Sequence, residues 1–184
     1  MKGFARREFQ LVLLRRMADY QPGLVEDAMR ELGASRTEMR EVNARWQRML
    51  RSRSFPPGTR RHEAVLGPPA GTRRQRIGDA ACDIAWWPPL SLWPGLRYEI
   101  MTAPGGPVVH EWLVRDEGAP APRLEGVDDL VPWSCVVGDV DERFGTASHQ
   151  DGDVPSRWHA TLTTPDGTFA AHFVWGLLQR VTGV

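Results

Sequence analysis

Apolar residues recur at helical spacing through the first fifty residues of the chain. In the first segment, Phe9, Val12, Leu13 and Met17 lie on or near one face, and arginines occupy the other. Two further amphipathic segments follow, and neither of them could bury its own apolar stripe alone. The pattern therefore predicts a basic bundle of three helices over residues 1–53.

Turn and cap residues separate the second and third predicted helices. Gly33 follows the apolar stripe of the second helix, at the position where a helix commonly ends in a left-handed residue. Ser35 then opens the third helix. With Glu38 three residues later it forms a capping-box pattern, in which the hydroxyl and the carboxylate each satisfy a backbone N–H of the helix start.

From Asp79 onward the apolar residues alternate or run over strand lengths, with turn residues between the runs. The predicted strands cover residues 81–87, 96–102, 108–115, 130–137, 157–164 and 168–181. The second and third of these are expected to form a hairpin, and the fourth could also be a short buried element. The polar stretch 141–156 is expected to be a loop. The sequence as a whole predicts an α+β fold, with an N-terminal helical bundle and a C-terminal antiparallel β-sheet or small barrel.

The last predicted hairpin has two possible registers. Pairing even with odd positions brings Trp158, Phe169, Phe173 and Trp175 to one face, whereas a three-residue loop at 165–167 with a glycine bulge would mix the faces. Each large apolar side chain contributes about 1.5–3 kcal/mol on burial. We therefore expect the register that segregates the aromatic side chains.

A segment rich in proline, glycine and arginine, residues 54–78, separates the helical part from the acidic, Trp-rich β part at 79–184. Within it, Gly-Thr-Arg-Arg occurs at 58–61 and again at 71–74, and the short run 62–66 could form a strand. An extended arm of this kind could place Arg60, Arg61, Arg73 and Arg74 along a phosphate backbone or in a minor groove. The alternative is a connector that arginine keeps soluble.

Charge is distributed unevenly along the 184 residues, although the formal net charge is zero. Residues 1–76 carry 17 Lys and Arg against 8 Asp and Glu, whereas residues 77–184 carry 6 against 15. This asymmetry is typical of a basic segment that meets a polyanion, and it would equally allow the two halves to attract each other within one chain or between copies.

Composition excludes several classes of protein. The chain has 41% hydrophobic and 25% charged residues, as ordinary globular proteins do, and it lacks an apolar run of membrane-spanning length or a signal-peptide pattern. Only Cys82 and Cys135 are present, which excludes a disulfide scaffold and argues against a zinc site made of thiolates. The expected location is the cytoplasm.

Residues 25–44 contain apolar positions in two helices and a glycine in the turn between them, at Ala28, Leu32, Gly33, Ala34, Met39 and Val42. With this spacing the segment resembles the helix-turn-helix motif of DNA-binding proteins. Met29 departs from the motif, which usually has a small residue where the two helices cross. The resemblance implies that Arg36, Thr37, Arg40 and Ala44 face base edges in a major groove and that Arg45 and Arg48 lie nearer the phosphates; Glu41 on the same side would repel phosphate.

Other chemistry has weaker signals. In the segregated register His159 and His172 are cross-strand neighbours, and with His110 or Asp151 they could bind zinc, although such histidines are commonly polar filler on a sheet. No nucleophile elbow, phosphate loop or zinc-protease motif is present, and no cofactor is expected. Seven of the eight tryptophans follow residue 80. Among them, Trp86, Trp87 and Trp93 are candidates for a surface that binds a ligand or a partner, as are His159 and His172.

Three functions are therefore considered. The leading one is a non-enzymatic DNA-binding regulator whose β domain binds a ligand or partner. The second is a protein-interaction or assembly module, with an oligomer held through the basic and acidic halves. The third is a small enzyme with a pocket in the β domain.

Overall fold

The computed structural model of the protein describes residues 4–145 and 148–184, apart from the side chain of Asp151. The helices of this part are α1 (Arg6–Met17), α2 (Pro22–Glu31), α3 (Arg36–Arg51), α4 (Thr59–Leu66) and α5 (Val137–Phe144). The strands are β1 (Gly71–Ile77), β2 (Ala80–Trp87), β3 (Leu96–Thr102), β4 (Val108–Arg115), β5 (Ser148–Asp151), β6 (Arg157–Thr164), β7 (Gly167–Val174) and β8 (Leu177–Gly183). A 3-10 turn covers Val127–Asp129.

The predicted α+β class is confirmed. The strands form two four-stranded antiparallel sheets with the orders β1-β2-β3-β4 and β5-β6-β7-β8. Within the described residues neither sheet closes on itself, so the sheet alternative holds and the barrel alternative does not. No helix in the described part of the chain is long and apolar enough to cross a membrane.

The chain divides into two compact units, Met1–Glu111 and Trp112–Val184. The boundary lies inside β4 and does not coincide with the predicted divisions at 53/54 and 78/79. The first unit contains α1–α4 and β1–β3, and the second contains α5 and β5–β8.

Helix α1 is the centre of the first unit and is buried on more than one face. Leu11, Leu13 and Leu14 are fully buried, although the spacing predicted a single apolar stripe. The ring of Phe9 meets that of Tyr98 on β3, with 4.9 Å between the ring centroids. Helix α1 therefore packs on the first sheet, so the predicted bundle over residues 1–53 does not stand apart from it.

The predicted connector at 54–78 contains a helix and a strand. Gly58 (φ +62°) and Gly67 (φ +84°) lie just outside α4, so the glycines bound the helix and do not interrupt it. The strand expected at 62–66 is wrong, because these residues complete α4 and three of them are buried. The second Gly-Thr-Arg-Arg copy opens β1, which pairs with β2 over its whole length.

The last predicted hairpin has the segregated register. Trp158 pairs with Phe173, and Leu162 pairs with Phe169. Thr164 pairs with Gly167, so that only two residues form the loop. Trp158, Leu162 and Phe173 are buried in the core of the second unit, whereas Phe169 is partly buried and Trp175 lies in the next turn, so the register buries two of the four aromatic side chains expected.

The stretch 168–181 is not one strand. Trp175 (φ +51°) and Gly176 (φ +76°) form the tight turn between β7 and β8, where two positive φ angles suit the twist of a hairpin. A side chain at Gly176 would meet the carbonyl oxygen of Leu113 at 2.7 Å, so the close approach requires glycine.

The segment 130–156 also differs from the prediction. Val136 makes an isolated bridge to Leu177, and the residues expected to be loop include the end of α5 and all of β5. The Asp139 carboxylate accepts a hydrogen bond from the backbone N–H of Val136 at 2.9 Å and thereby caps the start of α5. The same carboxylate pairs with Arg115. Residues 146–147 of the predicted loop lie outside the described residues.

Candidate functional site

Helix α3 presents an exposed basic face. Arg36, Thr37, Arg40, Ala44 and Arg48 are all exposed. Positions 36, 40, 44 and 48 follow one another at intervals of four along one side of the helix. The opposite side is buried through Met39 and Trp46, so the arginines are held outward by the packing of the helix.

The turn between α2 and α3 is fixed by Arg7 of α1. Its guanidinium donates to the carbonyl oxygens of Leu32 (3.0 Å) and Gly33 (3.3 Å) and to the Glu38 carboxylate (2.7 Å). Gly33 has φ +60°, and the Ser35 hydroxyl accepts the N–H of Glu38 at 3.1 Å, as predicted. The Glu38 carboxylate, which the predicted capping box pairs with the backbone N–H of Ser35, takes its main hydrogen bond from Arg7. The hydrogen bond from Arg7 holds the pKa of Glu38 below its usual value.

Two of the predicted DNA-contacting arginines have partners within the first unit. Arg36 forms an ion pair with Glu26 of α2. Arg45 is half-buried, and its guanidinium lies 5.6 Å from the ring centroid of Phe4. Glu41 is exposed, as expected, on the same side as the outward arginines. Arg40 and Arg48 make no ion pair with any described residue.

A cleft of about 240 Å³ lies against the basic face. Its walls come from α1, α2 and α3, and they carry Arg15, Arg36 and Arg40 together with Glu26. Arg15 pairs with Asp19 at 3.2 Å and Arg36 pairs with Glu26, so Arg40 is the one guanidinium of this cleft that has no carboxylate partner in the described part of the chain.

The two Gly-Thr-Arg-Arg copies do not form an extended arm. Arg60 and Arg61 belong to the first turn of α4, whereas Arg73 and Arg74 lie on β1. The Arg74 guanidinium donates to the Asp83 carboxylate at 2.9 Å, which lowers the pKa of Asp83.

The two copies nevertheless lie beside each other. Thr59 lines one cleft of about 490 Å³ with Arg73 and Arg74. It also lines a second cleft, of about 710 Å³, with Arg60 and Arg61. The structure therefore brings these four arginines to adjoining clefts of the first unit, although they lie on different elements from the basic face of α3.

The three candidate tryptophans have different environments. Trp87 is fully buried and donates its indole N–H to a backbone carbonyl, and Trp93 is 5% exposed. Both therefore belong to the core. Trp86 is half-buried, and the guanidinium groups of Arg73 and Arg97 lie over its ring at 5.6 Å and 5.2 Å. This arrangement follows the expectation that only one of two successive strand residues enters the same core.

His159 and His172 are brought together as predicted. They are directly paired on β6 and β7, with 5.6 Å between ring centroids. Burial is the main cause that lowers the pKa of His172. Of the two residues proposed as a third ligand, His110 lies on β4 in the first unit, whereas the histidine pair lies in the second. The side chain of Asp151 is not among the described parts of the chain. No group of three or more His, Cys, Asp or Glu suited to a metal occurs among the described residues.

A buried polar cluster around His62 is absent from the predictions. His62 is fully buried among the aromatic rings of the first core, and its Nε2 lies 3.0 Å from Glu111 Oε2. The Tyr98 hydroxyl donates to the same carboxylate oxygen at 3.3 Å, and burial raises the pKa of Tyr98. The rings around it, each with its centroid 5.8–6.1 Å from that of the imidazole, are those of Phe9, Trp46, Trp87 and Tyr98. A lone histidine without a motif gave no signal for this cluster.

Comparison with known proteins gives little further guidance. No protein-family model matches the sequence, and no curated protein is significantly similar to it. One solved structure, described as a candidate beta-lactamase inhibitor protein from Streptococcus mutans, is 13% identical and covers 71% of this chain and 84% of its own. The TM-score of 0.31 is too low for this similarity to support an argument about the fold or the function.

Proposed function

We propose that the protein is a non-enzymatic regulator that binds duplex DNA through the exposed face of α3. The observation that carries the proposal is the row Arg36, Arg40, Ala44 and Arg48 on one outward side of a sixteen-residue helix. At 1.5 Å per residue, this row extends over roughly 18 Å. A helix of this kind fits into a major groove with its side chains toward the base edges.

The residues of the row have separate roles in this proposal. Arg40 is free of ion pairs within the described part of the chain, so its guanidinium is available to guanine, with which arginine can make two hydrogen bonds. Arg48, three turns further along than Arg36, would contact phosphate. Arg36 would exchange its Glu26 partner for DNA, and the loss of this ion pair would offset part of the free energy of binding. Among the described residues, the cleft beside α1 adds no unpaired charge besides that of Arg40, so the outward row supplies the attraction to the DNA backbone.

The second unit would supply the regulation, through a ligand or a partner protein. A DNA-binding role would place the protein in the cytoplasm, where free thiols such as the buried Cys82 and Cys135 stay reduced.

Fluorescence anisotropy of the full chain with a labelled duplex tests the proposal. Each arginine that replaces a counterion on the DNA contributes about 0.9 to the slope of log affinity against log salt. The three arginines of the row therefore predict a roughly 40-fold loss of affinity between about 50 and about 200 mM salt. Arg48→Ala should reduce the slope by about one and weaken all sequences alike. Arg40→Ala should reduce the discrimination between sequences.

Arg123→Ala is the matched control, because it removes the same charge from a side chain that is 89% exposed in the second unit. The proposal fails if no complex forms at about 50 mM salt. It also fails if Arg123→Ala weakens binding as much as Arg48→Ala does.

The second candidate is assembly of copies through the basic and acidic halves. The observation that favours it is β1, an edge strand whose residues 72–77 are all exposed and include three arginines. An edge with free backbone groups and positive charge suits an acidic strand of another copy. Light scattering would then show an oligomer that dissociates as salt rises, and a monomer at low salt would exclude this candidate.

A further inference from the structure

The outer face of the second sheet carries two imidazoles side by side. His159 on β6 and His172 on β7 are direct cross-strand partners, with 5.6 Å between ring centroids and 33° between ring planes. Both side chains are half-buried and reach solvent. The next strands place Gln150 opposite His159 and Arg180 opposite His172.

The backbone beneath this pair is held firmly. The register of β6 and β7 is fixed by a two-residue loop and by the burial of Trp158, Ala160 and Phe173 on the other face. The 5.6 Å between the ring centroids is short enough for one metal ion to contact both imidazoles while the strands keep their register. This leaves little ordering cost for a ligand that both rings share.

We propose that His159 and His172 together bind one divalent transition-metal ion, with Cu²⁺ bound most tightly. Neutral imidazole is a ligand for copper, nickel and zinc, and affinity at a nitrogen site rises toward copper in this series. Because no third His, Cys, Asp or Glu completes a metal-ligand cluster in the described residues, water fills the remaining positions. The Thr182 hydroxyl, 3.3 Å from His172 Nε2, orients that ring. The positive charge of Arg180 opposes the ion, so affinity in the micromolar range is expected.

The proposal is independent of DNA binding and is tested with the metal ion alone. Calorimetry with Cu²⁺ on the full chain should give one site, and electron paramagnetic resonance should show nitrogen ligation. His159→Gln and His172→Gln should each weaken binding by at least about tenfold. Because the two imidazoles are held side by side only in the folded protein, the ion should raise the melting temperature of the wild type and not of either variant.

The chain supplies matched controls in its other accessible histidines. His149, on β5 and 3.2 Å from the Asp141 carboxylate, and His110, on β4, are changed to Gln in turn. Both controls should bind copper as the wild type does, and circular dichroism without metal establishes that every variant folds. Absence of saturable binding in the micromolar range overturns the proposal. Equal loss in a control variant overturns it as well.

Discussion

Replacement of Glu111 by Gln tests whether one carboxylate holds the polar cluster in the first core together. Glu111 Oε2 lies 3.0 Å from His62 Nε2 and accepts a hydrogen bond from Tyr98 at 3.3 Å. Gln keeps the length and shape of the side chain but carries no charge. The substitution therefore changes the electrostatics of the cluster with little change in packing.

The magnitude follows from the geometry. A hydrogen bond to a charged group contributes about 1.5–3 kcal/mol to stability. Two features reduce this value for Glu111: its side chain is 30% exposed, and neither ring nitrogen of His62 makes a hydrogen bond of good geometry. We expect Glu111→Gln to lower the free energy of unfolding by about 1–1.5 kcal/mol. His62→Ala also leaves a cavity among aromatic rings and should cost about 3 kcal/mol.

A double-mutant cycle separates the pairwise interaction from the effects of packing. The two single variants and the double variant are unfolded in urea and followed by tryptophan fluorescence and far-UV circular dichroism. The double variant should be about 1 kcal/mol more stable than the sum of the single effects predicts. Glu117→Gln, in the exposed loop after β4, is the control and should change stability by less than about 0.5 kcal/mol.

Additivity of the two substitutions within about 0.5 kcal/mol would refute this reasoning. It would mean that His62 is held by its aromatic neighbours alone and that Glu111 serves only Tyr98. A cost of Glu111→Gln no greater than that of the Glu117 control would refute it more directly.

The remaining predictions concern α1 and the second core. Arg7→Ala should lower the free energy of unfolding by about 1 kcal/mol, because Arg7 is partly exposed but binds two carbonyl groups and Glu38. Arg16→Ala on the same helix is the control. Equal urea midpoints of the two variants would contradict the prediction. Burial raises the pKa of Cys135 from 9.0 to about 11. The folded state thus keeps this proton after the unfolded chain has lost it, and stability should fall between pH 9 and pH 11 by about 2 kcal/mol more than in Cys135→Ala. A difference between these two proteins that does not vary with pH would exclude this linkage.

Local signals predicted the parts of the fold that local interactions decide. Gly33 and Ser35 mark the ends of two helices through their own backbone and hydroxyl groups, so the turn between α2 and α3 could be read directly. The pairing of Trp158 with Phe173 followed from the number of aromatic side chains that one register buries. In each case a few neighbouring residues determine the outcome.

Tertiary contacts decided the rest. Gly58 and Gly67 suggested a flexible connector, but they flank a helix that is stable only because His62, Val65 and Leu66 are buried. The basic strand β1 has almost no apolar content and exists because β2 pairs with it. Candidate arginines that are near one another in sequence consequently lie on separate elements, and sequence spacing could not group them.

The arginines of this fold divide into those that stabilise it and those that face solvent. Arg7 fixes a turn, Arg6 donates to the carbonyl groups of Pro88 and Pro89, and Arg143 donates to those of Leu124 and Glu125. The fold thus employs these guanidinium groups in its own hydrogen bonds. Arg40 and Arg48 make no such bond with any described residue, and the same holds for Arg16, Arg53, Arg60 and Arg76. What sets α3 apart is the alignment of its arginines along one side of the helix.

Stability alone gives no reason for this outward row of charge. Like charges along one side of a helix repel one another, and an exposed arginine without a partner contributes almost nothing to folding. Arg40→Ala and Arg48→Ala should therefore leave the urea midpoint unchanged while they weaken DNA binding. A variant that lost stability and binding together would instead place these arginines in the support of the fold.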